Sequence, residues 1–168
     1  MVNRLEALGV DVVELSGGSY EAPAMQGQTK DNTTLAREAY FLEFAQTLES
    51  KTDIPLMTTG GIKRAEIAER VVQEGCELVG LASALAITPN LAKKWQQEWT
   101  YSGIIPHCTW KDKSLASLAN MAIVRRQLRR LGNNLTTLRS PSPLWSLILD
   151  LLHRKKMTKR DVAFRTPQ

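Results

Sequence analysis

The sequence is poor in the residues that hold extracellular or metal-bound folds together. Only two cysteines, Cys76 and Cys108, stand in 168 residues. Two thiols make no disulfide framework, and His107 and His153 add no ligand-spaced zinc set. Long apolar runs are also missing. The longest, near Leu78–Ile87 and Leu144–Leu152, are short and interrupted, whereas crossing a bilayer takes roughly 18 residues. Glu6, Asp11 and Glu14 occupy the region where a signal peptide keeps an uncharged core. The expectation is a cytoplasmic protein with no membrane partner and no bound metal. Charged residues, at 23%, are too few for a disordered chain.

What is present is divided by charge. Residues 1–90 carry 7 Lys/Arg and 13 Asp/Glu, whereas residues 91–168 carry 15 and 4. Such asymmetry invites a nucleic-acid or membrane-surface reading of the basic part. RRQLRR is its densest stretch, with Arg125, Arg126, Arg129 and Arg130 on adjacent helical stripes. A solvated helix end, favoured by the C-terminal dipole, is the preferred reading of that cluster. No stacking-aromatic pattern accompanies it, so nucleic acid is not the expected partner.

The acidic part alternates strands and helices. Residues 1–9 read as the end of a helix capped by Gly9, and Val10–Leu15 as a buried parallel strand. A long polar loop follows, then a helix over Leu35–Lys51 with Leu35, Ala39, Leu42, Ala45 and Leu48 on one face. Ile54–Thr58 is the next strand, Arg64–Glu74 the next helix, and Glu77–Ala82 the third strand. Ser83–Ile87 reads as an apolar turn, and Thr88-Pro89 opens a helix over Asn90–Trp99. Repeated strand–helix units imply a parallel sheet with right-handed crossovers, either an open doubly wound sheet or a (β/α)8 barrel. Beyond a loop over Tyr101–Lys113, Ser114 is expected to cap a helix to about Leu131. Its apolar side is Leu115, Leu118, Met121, Ala122 and Leu128. A short helix over Leu144–Leu152 follows, and His153–Gln168 reads as a frayed basic end.

Three strand ends are candidates for chemistry. Thr58–Ile62 (TTGGI) ends a strand in two glycines just before a helix, where exposed backbone N–H groups and the helix dipole favour an anion. Leu78–Leu85 (LVGLASAL) ends the next strand in small residues, with Ala82 and Ser83 at the tip. Successive strand ends of this kind commonly form a joint phosphate site. Ser16–Pro23 (SGGSYEAP) offers Tyr20 or Glu21 to a pocket. Plain connecting turns and close helix–strand packing account for the same residues without a ligand.

Taken together, GVDVVELSGGSYEAP (Gly9–Pro23), REAYFLEFA (Arg37–Ala45), IPLMTTGGI (Ile54–Ile62), GCELVGLASAL (Gly75–Leu85) and ITPNL (Ile87–Leu91) resemble the Old Yellow Enzyme family. Those proteins are FMN-dependent NAD(P)H:flavin oxidoreductases on a TIM barrel. The tail, with NMAIVRRQLRRLG and SPLW, is similar to the extension of one bacterial-type branch. The resemblance implies an α/β fold. Residues 1–99 would be the last three strand–helix units of a (β/α)8 barrel, and 100–168 a helical, basic C-terminal extension. It implies FMN as cofactor, NAD(P)H as reductant and a small-molecule substrate such as an activated alkene. Gly60, Gly61, Ala82 and Ser83 would cradle the flavin phosphate.

Two departures from the family pattern matter. The family usually places Arg where this sequence has Ser83. Losing a charge-assisted contact costs about 1.5–3 kcal/mol, roughly 10- to 150-fold in affinity. Lys63 and Arg64 are the cations near enough in sequence to compensate. The segments that carry the family's proton donor and substrate-anchoring residues have no counterpart here, so no catalytic residue is assigned. A three-unit piece leaves sheet edges and an inner face exposed. The chain is therefore expected to be a piece of a longer enzyme, inactive alone. Pairing with a complementary half-barrel, self-association, or a non-catalytic role as an interaction module are the alternatives.

Overall fold

A computed structural model describes residues 2–16 and 42–165. The chain divides into two bodies, Met1–Ile105 and Pro106–Gln168. The N-terminal body is α/β. Its strands β1 (Val13–Leu15), β2 (Leu56–Thr59) and β3 (Leu78–Gly80) form a parallel sheet in the order β1-β2-β3. Val13 lies opposite Leu56, and Met57 opposite Leu78.

Each strand is shorter than its apolar run, for a local reason. Helix α1 (Val2–Glu6) ends in a turn in which Val10 donates to Leu5 O, so residues 10–12 only approach the sheet. Pro55 has no N–H to give, but its carbonyl accepts from Val13 N at 3.0 Å, and the β2 ladder starts one residue later. Glu77 seals the base of β3. Its N–H donates to Leu56 O at 3.0 Å, and its side chain accepts from Leu56 N at 2.7 Å. Glu6 ties α1 to the approach of β2 by accepting from Thr52 Oγ1 and Asp53 N.

Helices α2 (Leu42–Glu49) and α3 (Ala65–Gln73) pack on one face of this sheet. Their Leu42, Ala45, Ile67 and Val71 share a buried core with Leu15, Leu56, Ile62 and Cys76. Burying each large side chain contributes about 1.5–3 kcal/mol. Alternation sends Glu14, Met57, Leu78 and Gly80 to the opposite face, where Leu78 stays 43% exposed. An open doubly wound sheet carries helices on both faces. Among the described residues α2 and α3 cover one, which a partial barrel shares. Ser83–Ile87, expected as a turn, is a short helix, α4, and α5 spans Leu91–Gln97. The expected Thr88 side-chain cap is not made; α5 opens at Asn90 and Thr88 contributes its carbonyl to Leu91 N. No helix among the described residues is long and apolar enough to cross a membrane.

The C-terminal body is a pair of packed helices, α6 (Lys113–Gly132) and α7 (Pro143–Arg165). Three expectations are corrected here. Asp112, not Ser114, caps α6, its carboxylate accepting from Leu115 N at 3.0 Å. Of the expected apolar side only Ala122 is buried. Leu115, Leu118, Met121 and Leu128 are 45% to 53% exposed, while Ala116, Ala119, Ala122, Ile123 and Gln127 are buried. Small side chains let α6 approach its neighbours closely, and Ala116 and Ala119 pack with Cys108 and Trp110. Finally, α7 does not stop at Leu152. Ser142 caps its start, and nothing in residues 153–165 breaks a helix, so it runs on to Arg165 with Asp161 paired to Arg165 one turn apart.

What joins α6 to α7 is polar. Asp150 is 2% exposed and accepts from Arg125 Nη1 at 3.0 Å and Arg129 Nη1 at 2.8 Å. Arg126 donates to the buried Ser146 Oγ, and Arg130 to Thr136 O. Gln127 bonds both backbone groups of Leu138 in the connection. Each arginine of RRQLRR thus has a partner within this hairpin.

Burial pushes the Asp150 carboxyl up, but the hydrogen bonds and charges of Arg129 and Arg125 outweigh it and hold the group below its ordinary value. A depressed carboxylate stabilises the fold above the unfolded Asp value of about 3.9 and loses that contribution as pH falls through the lower folded value. The protection of α6 and α7 amides against hydrogen exchange, taken relative to the intrinsic rate at each pH, is therefore expected to fall on acidification below about pH 4. Asp150→Asn is expected to lower that protection already at neutral pH and to flatten the acid response.

Candidate functional site

The site is built at the C-terminal edge of the sheet. Parallel register sets Thr59 beside Gly80, so the segments that follow β2 and β3 leave the sheet side by side. Gly60 and Gly61 follow β2 with φ of 129° and 68°. Both values lie where side chains with a Cβ are strained, so two consecutive glycines are what this backbone requires. Ala82 and Ser83 follow β3, Ala82 exposed and Ser83 half-buried as the first residue of α4. All four expected phosphate residues thus lie on one edge, in two adjacent strand-end segments.

Close approach of β2 and β3 is part of this geometry. Thr59 Oγ1 donates to Gly80 O at 3.1 Å. A Cβ at position 80 would stand 2.9 Å from Thr59 Cβ and 3.4 Å from Thr58 O. Thr58, fully buried on the helix-covered face, has a hydroxyl with no hydrogen-bond partner among the described residues.

Beyond Gly61, Ile62 anchors in the core and Lys63-Arg64 leads into α3. Arg64 is extended, and no side chain caps the helix start. The first-turn amides of a nine-residue helix therefore add their partial positive charge near this edge. The sequence reading missed what steadies the segment. Ser102 bridges Arg64, and Gly103 N donates to Lys63 O at 2.7 Å. A helical staple starts this strap. Trp95 Nε1 donates to Tyr101 O at 3.0 Å, and Lys94 Nζ lies 4.4 Å from the centre of the Tyr101 ring. The one visible signal was Gly103, whose added Cβ would stand 3.2 Å from Lys63 O.

These residues fit a phosphate in kind. Two Cβ-free positions leave room for close backbone approach, and Ser83 offers one hydroxyl. They bring no guanidinium at position 83. Arg64 Nη1 reaches Glu66 Oε1 at 3.5 Å, a long contact. No group of three or more His, Cys, Asp or Glu able to hold a metal exists among the described residues. Burial, together with the Glu77 and Glu49 carboxylates, pushes the Cys76 thiol up, so it is no ready nucleophile. The third candidate segment lies, from Gly17 on, outside the described residues, and so does the part of the expected Leu35–Lys51 helix before Leu42.

About half of the chain is similar to curated proteins. NADH-dependent flavin oxidoreductase iliE of Hypocrea jecorina is 42% identical over 91 residues, 51% of this chain and 23% of that protein. NADH-dependent flavin oxidoreductase iccE of Talaromyces variabilis is 37% identical over 93 residues, 51% of this chain and 22% of its own length. About half of this chain is thus similar to proteins named NADH-dependent flavin oxidoreductase. A third relative, 4,4'-dithiodibutanoate disulfide reductase of Rhodococcus erythropolis, is 33% identical over 99 residues, 56% of this chain and 25% of that protein. The chain thus matches only 22% to 25% of the length of these three relatives. No family model matches the chain, and no solved structure does.

The tightness of the β2–β3 approach has a direct consequence. Gly80→Ala is expected to lower stability by about 1–3 kcal/mol, the usual range for overpacking. Denaturant unfolding checks this, and an unchanged midpoint would show that Thr59 gives way freely.

Proposed function

We propose that this chain is the C-terminal part of an FMN-dependent NAD(P)H oxidoreductase. Its three strands would be the last three of a (β/α)8 barrel, and its strand ends would supply the phosphate side of the flavin site. The observation that carries this reading is the Gly60-Gly61 pair in left-handed backbone after β2, with Ala82-Ser83 in the segment that follows the adjacent parallel strand β3. Relatives named for NADH and flavin support the chemistry. When bound, the flavin would carry the hydride between the nicotinamide and an acceptor. This chain's residues would bind and orient it. Backbone N–H groups at Gly60 and Gly61 would face the phosphate, Ser83 Oγ would donate to it, and α3 would favour its charge.

Units elsewhere in a longer polypeptide, or in a complementary half, would bring the flavin-ring contacts and the proton donor. Alone, the chain is proposed to bind FMN weakly and to reduce nothing. One observation favours the other reading, a non-catalytic interaction module: the sheet face bearing Met57 and Leu78 is not covered by α2 or α3. FMN binding separates the two.

Restoring the family's cation provides the test. Ser83→Arg is expected to tighten FMN about 10- to 150-fold, read by quenching of flavin fluorescence. Riboflavin, which lacks the phosphate, is expected to show no such gain. Equal tightening of both, or of neither, contradicts a phosphate site at Ser83.

A further inference from the structure

The hairpin is inverted. Its joined faces hold Asp150, Ser146 and the arginines, and its outer face is apolar. Along α7, Leu144, Trp145, Ile148, Leu151 and Leu152 are all exposed, from 37% at Ile148 to 61% at Leu152. Helical spacing puts them on one stripe, opposite Ser146 and Asp150. Steps of three and four residues carry the same stripe from Ile148 and Leu152 into Lys155 and Lys159. Residues 153–165 hold six Lys or Arg against one Asp. Asp161 is taken by Arg165. Arg154, Lys155, Lys156, Lys159 and Arg160 have no acidic partner among the described residues.

We propose that α7 docks on an anionic lipid surface, lying in the plane of the headgroups. The apolar residues of its first half would enter the acyl boundary, and Trp145 would sit at the interface, where its amphipathic ring is favoured. The lysines that follow on the same stripe would lie along the surface, their stems apolar and their ammonium groups against lipid phosphates. Charge and apolar area together point to this partner. Nucleic acid satisfies the cations and leaves five exposed apolar side chains unexplained. A second copy satisfies the apolar stripe and leaves the unpaired cations facing an equally basic body. The absence of a spanning segment is no objection, since a surface helix needs none.

The test is co-sedimentation of the 168-residue chain with vesicles of phosphatidylcholine, with and without phosphatidylglycerol. Binding is expected only to the anionic vesicles and is expected to weaken as salt rises. Lys155→Gln with Lys159→Gln is expected to weaken it by roughly 30-fold, from the worth of each cation at a charged surface. Ile148→Asp with Leu152→Asp is expected to abolish it. Far-UV circular dichroism checks that each variant keeps its helix, and the lysine pair, being exposed, reads the proposal even if the apolar pair unfolds. Equal binding to neutral vesicles overturns the proposal. So does absence of vesicle binding together with self-association that Ile148→Asp and Leu152→Asp remove. Binding of duplex DNA that survives those two substitutions, without vesicle binding, overturns it in favour of nucleic acid.

Discussion

A parallel sheet is stable only when both of its faces are covered. That constraint organises the N-terminal body. Leu15 and Leu56 turn to α2 and α3 and pack with Ile67 and Val71. Met57 and Leu78 turn the other way, and neither α2 nor α3 reaches them. The same register that fixes these faces aligns the strand ends. Thr59 and Gly80 stand side by side, so Gly60-Gly61 and Ala82-Ser83 leave the sheet together. One set of backbone pairings therefore both brings the strand-end segments together and divides the side chains between the two faces.

The C-terminal body resolves its own packing in the opposite sense. A buried carboxylate between two arginines joins its helices, and the large apolar side chains point outward. Buried ion pairs gain little net stability but are costly to break. Asp150 therefore acts more as a register pin for α6 against α7 than as a source of stability. The charge asymmetry visible in the sequence splits accordingly. The arginines of α6 are engaged within the hairpin, while Arg154, Lys155, Lys156, Lys159 and Arg160 of α7 have no acidic partner among the described residues.

Strands and the strand–helix alternation were legible because VDVVEL, IPLMT and ELVGLA are apolar runs bounded by Gly and polar residues. Their true lengths were not, because Val10 is diverted to Leu5 and Pro55 cannot donate. The glycines at 60 and 61 were legible as a turn, and their left-handed backbone bears that out. The Ser102–Gly103 strap was not, since it depends on a partner 38 to 40 residues away in the chain. Helix α6 misled for a different reason. Periodicity finds the apolar stripe but does not say that it faces inward, and here alanines and Gln127 do. For α7, charge density suggested fraying, yet a run of helix formers without Gly or Pro kept the helix intact.

Co-expression of this chain with a separate polypeptide carrying the first five strand–helix units of a flavin-oxidoreductase relative tests the half-site directly. The two pieces are expected to co-purify with FMN bound. Gly61→Ala in this chain is expected to leave the complex assembled but release the flavin, because an added Cβ is strained at a φ of 68°. A complex that forms without flavin, or that holds FMN equally well with Gly61→Ala, would contradict a phosphate site at these strand ends.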